Sequence, residues 1–382
     1  MRKLVCFLAI LIFPLRVSLY AAPCSSATPV SGIYAGADGP AQYVLSMPSP
    51  ANCYNGEMIF FAHGYVAQGS PANAWLSQLV LPDGTSLPGL VNSFGFGFAA
   101  SSFSRNGLSI PEGVQDTAGL ADVLKALGIP AGKYFITGAS EGGLVAAKSL
   151  ETQSALYSGA VAVCGPIGSF QQQINYFGDV RVLFDYFFPG VLKTGTPGES
   201  AISIPPALQQ NWFTVYEPNV LKALAANPLA TLQLLLAADI PVGLTTSTVG
   251  ESITGALWYN VFATNDAIAT LNGNPYGNLS RVYHGSLNDA RMNAMVARFA
   301  ESPVNLSPYE TTGILHDPLV TLHTIADPII PFRQELLYAA KAQAKGSSAE
   351  LTEIPAVAYG HCNVNKAEAA SALLLMLARA GK

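Results

Sequence analysis

The apolar positions along the chain change rhythm twice. In the first stretch, short runs with almost no polar interruption recur: Met58-Ile59-Phe60-Phe61-Ala62, then Phe96 to Ser102, Gly132 to Gly138 and Gly159 to Cys164. Runs of this length fit strands buried on both faces of a parallel sheet, since a half-exposed strand would alternate polar with apolar residues. Between them, Pro111 to Leu127 predicts a helix. Pro111 lacks an N–H that the first turn would leave unbonded anyway, and Glu112 suits the positive end of the helix. Upstream, Gly32 to Met47 predicts a β-hairpin. From Ile167 to about Leu315 the strand-helix rhythm lapses. This stretch has turns rich in Pro, Asn and Thr, an aromatic cluster (Tyr176, Phe177, Phe184, Tyr186, Phe187, Phe188) and helix-like runs such as Leu221 to Asp239. The rhythm resumes with a strand from Leu319 to Thr324, another from Ile354, and a last helix, Lys366 to Ala380.

This pattern predicts an α/β protein in which residues 23–166 and 316–382 form two parts of one core, with residues 167–315 inserted between them as a cap. A separate second domain is the alternative. The apolar run Leu229 to Ile240 falls short of the roughly 20 residues a bilayer span needs and is expected in the core of the cap. No stable membrane span is expected elsewhere.

Residues 1–22 follow another pattern: Met1-Arg2-Lys3, an apolar run from Leu4 to Phe13, and Ala21-Ala22 ahead of Pro23. A basic start, an apolar middle and a small-residue end describe a secretory signal peptide cleaved near Ala21 or Ala22. A secreted or periplasmic protein is therefore expected. Charged residues make up only 11% of the chain, against about 25% in an average soluble protein. The net charge of −5, with 19 scattered Lys and Arg, argues against a nucleic-acid partner, which would require a clustered basic face. With Cys6 leaving in the signal, Cys24, Cys53, Cys164 and Cys362 remain, an even set in an exported chain with three possible connectivities. Cys24 with Cys53 and Cys164 with Cys362 is the expected pairing, because Cys164 ends a strand and Cys362 follows a candidate catalytic base. Free buried thiols are the alternative. Sequons at Asn278-Leu279-Ser280 and Asn305-Leu306-Ser307 matter if the host glycosylates.

Candidate chemistry gathers around Gly138-Ala139-Ser140-Glu141-Gly142, which fits G-x-S-x-G between an apolar strand and a helix. Such a turn is too tight for side chains at the glycines and pushes the serine hydroxyl out above the sheet. A serine needs a base and an acid that orients the base. Asp327 lies in the turn that ends the strand Leu319 to Thr324, and His361 follows Gly360 at the end of a later strand. Asp317 is the competing acid, but it precedes its strand and would sit at the opposite edge of the sheet. Of the other histidines, His63 belongs to a His-Gly turn, His323 faces a strand interior, and His284 and His316 lie in or beside the insertion. No H-x-x-x-H or Cys/His ligand spacing occurs, and no G-x-G-x-x-G follows a strand, so neither a metal nor a dinucleotide cofactor is expected.

Phe61 to Val66, Ser102 to Gly107, Gly138 to Gly143, Leu322 to Pro331 and Gly360 to Asn363 together resemble secreted α/β-hydrolases of the esterase and prolyl-oligopeptidase-like groups. The Gly360-His361-Cys362 turn is similar to that of tannases and feruloyl esterases. Those enzymes carry a partner cysteine directly before the serine, where this chain has Ala139, so Cys164 would have to substitute. The resemblance implies an α/β-hydrolase fold, a mostly parallel sheet flanked by helices with a large inserted cap. It also implies a Ser140, Asp327, His361 triad and an oxyanion hole formed by the backbone N–H groups of Tyr65 and Glu141. The activity implied is hydrolysis of a small-molecule carboxylic ester. The low-charge, aromatic cap suggests an apolar or aromatic substrate. A prolyl-oligopeptidase-like peptidase and a non-catalytic binding protein are the alternatives.

Overall fold

The computed structural model describes residues 24–381; the signal-peptide reading of residues 1–22, with Cys6, lies outside them. In chain order the strands are β1 (Ser25–Ser26), β2 (Val30–Gly36), β3 (Gly39–Ser46), β4 (Pro48–Ser49), β5 (Glu57–Ala62), β6 (Gly97–Ser101), β7 (Lys133–Ala139), β8 (Tyr157–Val163), β9 (Leu319–Ala326) and β10 (Leu351–Tyr359). β1 and β4 pair alone. The other eight form one sheet in the order β10-β9-β8-β7-β5-β6-β3-β2. β3 is antiparallel to both its neighbours, and every other pairing is parallel. The apolar runs mark the strands covered on both faces. Every residue of β5 and β6 is buried, whereas the edge strand β2 leaves Val30 and Ile33 exposed.

The helices are α1 (Leu87–Ser93), α2 (Ile110–Ala126), α3 (Glu141–Thr152), α4 (Phe170–Phe187), α5 (Pro206–Gln210), α6 (Glu217–Ala226), α7 (Pro228–Ala237), α8 (Ser247–Leu271), α9 (Asp289–Met295), α10 (Arg333–Lys345) and α11 (Lys366–Arg379). One sheet face packs on α2, α3 and α10 through residues such as Leu120, Leu144 and Tyr338. The other packs on α1 and α11 through Val91 and Leu373. Burying a side chain such as Phe60 or Phe98 in these layers contributes roughly 1.5–3 kcal/mol.

Helices α4 to α9 build the cap around a cluster of their own that includes Phe184, Trp212, Val220 and Leu257. Two expectations for the insertion need correction. The run Leu221 to Asp239 is not one helix: Asn227 caps α7, its side chain accepting from Ala230 N, and Pro228 opens α7, so the chain bends by 106° there. Pro228 has no N–H with which to continue the preceding helix. Nor is Leu229 to Ile240 wholly cap core. Leu229, Leu232 and Leu236 are exposed, while Ala230, Thr231 and Leu234 point inward. The ends of the insertion return to the main core, where Phe170, Tyr309 and Leu315 pack with α3 and the sheet. Asn278 is buried and its side chain is bonded to Tyr283, Ala297 and Phe299, so that sequon is closed to a glycan; Asn305 is exposed. Among the described residues no single helix is long and apolar enough to cross a membrane. The strand order, the single antiparallel strand next to the edge and the helical insertion between β8 and β9 make this an α/β-hydrolase fold with a large cap.

Candidate active site

The turn from β7 into α3 explains its glycines by contact distance. A Cβ on Gly138 would lie 2.0 Å from the Gly142 carbonyl oxygen, and one on Gly142 would lie 2.0 Å from that of Ala62. No side chain fits at either position. Ser140 sits between them at φ 59° and ψ −125°, a conformation that costs on the order of 1–3 kcal/mol and is held by the surrounding structure. Ser140 N donates to Val163 O at 2.9 Å, which ties the turn to the end of β8.

Three side chains from three strand ends meet here. His361 Nδ1 lies 2.8 Å from Asp327 Oδ2, and His361 Nε2 lies 2.8 Å from Ser140 Oγ. An ionised carboxylate only accepts, so Nδ1 carries the proton and Nε2 is left to accept from the serine hydroxyl. Asp327 is fully buried, and its other oxygen accepts from Ile329 N at 2.8 Å and Ile330 N at 3.0 Å. Burial alone would raise its pKa. The charges and hydrogen bonds of His361 and His323 outweigh burial and hold it at about 2. Asp317 stands at the other end of β9, ahead of Leu319.

The loop carrying His361 is fixed from several sides. Gly360 has φ 108°, a region that favours glycine; its N donates to Ala326 O at 3.1 Å and its carbonyl accepts from Thr324 Oγ1 at 2.6 Å. Cys362 is disulfide-bonded to Cys164, with Cα atoms 5.5 Å apart, and Cys24 is bonded to Cys53. Cys164, His361 and Cys362 cluster closely enough to suggest a metal site. With both sulfurs in a disulfide there is no thiolate to ligate one.

Gly64 packs against the Ser140 turn: a Cβ on it would lie 3.0 Å from Ser140 Cβ, and its N donates to Gln78 Oε1 at 2.6 Å. This brings Tyr65 to the wall of the same cavity as Ser140 and His361. His63 is buried against Phe103, ring centroids 4.0 Å apart. The Glu141 side chain turns away to accept from Ser109 N at 2.8 Å. Burial pushes its carboxyl up to about 8; the Ser109 N–H opposes the rise, and the nearby Asp266 and Glu112 carboxylates add to it.

Two residues at the site were not singled out from the sequence. From the sequence, His323 is legible only as an interior residue of its strand. Its Nδ1 lies 2.8 Å from Glu335 Oε1, and its Nε2 lies 2.8 Å from Ile330 O and 3.5 Å from Asp327 Oδ2. Glu335 also accepts from Thr321 Oγ1 at 2.6 Å. Acceptors at both ring nitrogens call for a doubly protonated imidazolium. Burial would lower the pKa of the ring, but hydrogen bonds to Asp327 and Glu335 and their charges raise it to about 10. The signal in the sequence was a histidine four residues before the candidate acid.

The second is Tyr259, in the middle of α8. This 25-residue helix lies across the carboxyl ends of the strands. Near its start, Thr248 O accepts from Tyr359 Oη at 3.0 Å. Further along, Phe262 O accepts from Tyr65 Oη at 3.2 Å, and near its end Asp266 accepts from Leu108 N at 2.6 Å. Between these anchors Tyr259 shares the walls of two cavities with Ser140, and its ring stacks on Phe177 with centroids 4.9 Å apart and planes 4° from parallel. Burial, then the charges of Asp327 and Glu141, raise the pKa of the phenol and keep it protonated. Tyr259 lines two apolar chambers that both reach Ser140, one of about 370 Å³ and one of about 90 Å³.

No family model matches the chain, and no curated protein matches it. Among solved structures, Pyrococcus horikoshii acylaminoacyl peptidase is 14% identical with a TM-score of 0.46, the match covering 92% of this chain and 41% of the peptidase. This chain thus corresponds to well under half of that protein. The rice cell wall degrading esterase LipA from Xanthomonas oryzae is 15% identical with a TM-score of 0.45, covering 96% of this chain and 90% of LipA. Pyrococcus furiosus esterase Pf2001 is 11% identical with a TM-score of 0.47, covering 92% and 91%. Likeness at this level decides nothing about the chemistry of the present chain.

Proposed function

We propose that this protein is a serine hydrolase of carboxylic esters. The observation that carries the reading is the unbroken hydrogen-bonded line from Ser140 through His361 to Asp327. Ser140 Oγ attacks the ester carbonyl carbon as His361 Nε2 takes its proton. Asp327 holds the imidazole in the required tautomer and stabilises the imidazolium that forms. The negative charge that develops on the carbonyl oxygen is met by the backbone N–H groups of Tyr65 and Glu141, worth about 10²–10³ in kcat per donor in comparable sites. As the tetrahedral intermediate collapses, His361 returns the proton to the departing alcohol oxygen, leaving an acyl-Ser140. Water, deprotonated by the same histidine, then releases the acid and regenerates the serine.

The apolar chambers and aromatic cap favour an uncharged, apolar or aromatic ester. The signal-like N-terminus and the two disulfides favour an exported protein in an oxidising compartment. A prolyl-oligopeptidase-like peptidase shares the triad, so the test sets p-nitrophenyl esters beside a prolyl-peptide anilide. A fluorophosphonate probe is expected to label Ser140 alone, with faster turnover of esters than of the anilide and a loss of several orders of magnitude in Ser140→Ala. Labelling at another residue, or an active Ser140→Ala protein, overturns the assignment.

A further inference from the structure

We infer that the two chambers divide the substrate by chemical role, so that the preferred ester joins a compact apolar acid to a bulkier apolar alcohol. The inference rests on the hydrolase reading and adds which side of the ester lies where. Both chambers share Ser140, Tyr65 and Tyr259, but they differ in which other proposed working groups they reach. The larger is lined by His361 and Cys362 and runs between the sheet and helices α1 and α11, past Leu81, Val91 and Leu373. The smaller is lined by Glu141, whose N–H is the second proposed oxyanion donor, and is closed by Leu108, Phe170, Ile174, Phe177, Ala263 and Ile330; His361 is not part of its wall.

General acid catalysis decides the orientation. The oxygen that departs must receive a proton from His361 Nε2, which requires hydrogen-bond reach at the moment of cleavage. The alcohol therefore extends into the chamber that His361 lines. The acyl group remains on Ser140 after the alcohol has gone, with its carbonyl oxygen facing the Glu141 and Tyr65 N–H groups, and its tail enters the chamber on the Glu141 side. The volumes then set the substrate: about 90 Å³ for the acyl tail and about 370 Å³ for the alcohol. Among the described residues no charged side chain other than Glu141 lines the smaller chamber, and that carboxyl is turned to Ser109, so a charged acyl tail would be desolvated without a partner.

The test is kinetic and uses the full chain. With p-nitrophenyl acetate, butyrate and octanoate, kcat/KM is expected to fall at least tenfold from butyrate to octanoate. Ala263→Trp, which fills the smaller chamber, is expected to lower the butyrate-to-acetate ratio about tenfold, in line with the roughly 10–200-fold that a methylene-sized change of fit can produce. Phe177→Ala enlarges the same chamber and is expected to raise the octanoate-to-butyrate ratio. Leu81→Trp, in the larger chamber, is expected to leave the acyl ratios alone and lower the preference for 1-naphthyl acetate over ethyl acetate. Acyl ratios that move with Leu81→Trp and ignore both Ala263→Trp and Phe177→Ala overturn the assignment while leaving a working hydrolase. A protein that hydrolyses none of these esters and takes no fluorophosphonate refutes the hydrolase reading beneath it.

Discussion

Core and cap bury similar kinds of side chain, yet they place their polar groups for different ends. In the core, one set of buried charges converges on a single point. Asp327, His323 and Glu335 are fully buried and linked to one another, and the chain of contacts ends at Ser140. In the cap, one half-buried polar cluster closes on itself. Asp179 accepts from Tyr276 at 2.9 Å and Tyr283 at 2.7 Å and pairs with Arg281, which satisfies a loop-rich region without facing a chamber that reaches Ser140. The cap faces Ser140 across chambers that it lines with Phe170, Ile174, Phe177, Tyr259 and Ala263. The contrast suggests that the core fixes the reaction and the cap fixes the shape of what is allowed to react.

The strongest way to break that contrast is to remove the acid. Asp327→Asn can no longer hold the Nδ1–H tautomer of His361, and a fall in kcat of about 10⁴ is expected. The fall should be the same for short and long acyl esters, because nothing in the chambers has changed. Asp317→Asn, at the far end of β9, should change kcat less than twofold. Equal effects at the two positions, or a loss confined to one ester, would mean that chemistry and selection are not separated in this way.

The same division governs what the sequence reveals. Core strands are legible because burial on both faces leaves almost no polar residue in β5 or β6, and because Gly138 and Gly142 leave no room for a Cβ. Each constraint acts over a few neighbouring residues and is therefore written locally. The cap obeys no such rule. Asn227 and Pro228 break an apolar run that looks continuous, and three leucines of α7 face outward because only one side of that helix packs inward. Tyr259 is one tyrosine among 16. Its place over Ser140 depends on anchors at Thr248, Phe262 and Asp266 that reach residues far away in the chain. His323 is an intermediate case: its burial was readable, but its charge depends on Glu335, one helix further on.

A second way to sharpen the comparison uses that charge. The folded pKa of His323, about 10, lies above the unfolded value near 6.5, so the folded state holds a proton that the unfolded state gives up between those values. The stability this confers is fully present below pH 6.5 and is lost as pH rises toward 10. Urea midpoints of the wild-type protein should therefore fall across this window. The ring faces Glu335 from α10 and Asp327 from the loop after β9, with Glu353 on β10 and His361 acting through those two carboxylates. His323→Gln removes one member of a buried charge pair, a change that typically costs about 3–5 kcal/mol, and should flatten the pH dependence above about pH 8, beyond the range in which the Glu141 carboxyl also loses its proton. A mutant that keeps the wild-type slope would show that the ring is neutral. Breaking the cap's Asp179 contacts with Asp179→Asn should lower the midpoint without touching the slope in this window.

The smallest expected effect belongs to Tyr259, the cap residue that lines both chambers beside Ser140 among the described residues. Tyr259→Phe keeps the ring, its stack on Phe177 and the division between chambers, and removes only the hydroxyl. One hydrogen bond from that hydroxyl to a reacting oxygen would contribute about 0.5–1.5 kcal/mol, so kcat/KM should fall by about twofold to tenfold. The loss should depend on the leaving group. Tyr259 lines the chamber assigned to the alcohol, where its hydroxyl can donate to the departing oxygen as the tetrahedral intermediate collapses. An alkoxide needs that donor and p-nitrophenolate scarcely does, so an ethyl ester should suffer more than the p-nitrophenyl ester of the same acid. Measuring both esters on the wild-type and Tyr259→Phe proteins separates the cases. A loss of a thousandfold on both would place a cap residue inside the chemistry itself and end the division between a reacting core and a selecting cap. An equal, small loss on both would leave the division standing and move the action of the hydroxyl from the departing oxygen to the attacking one.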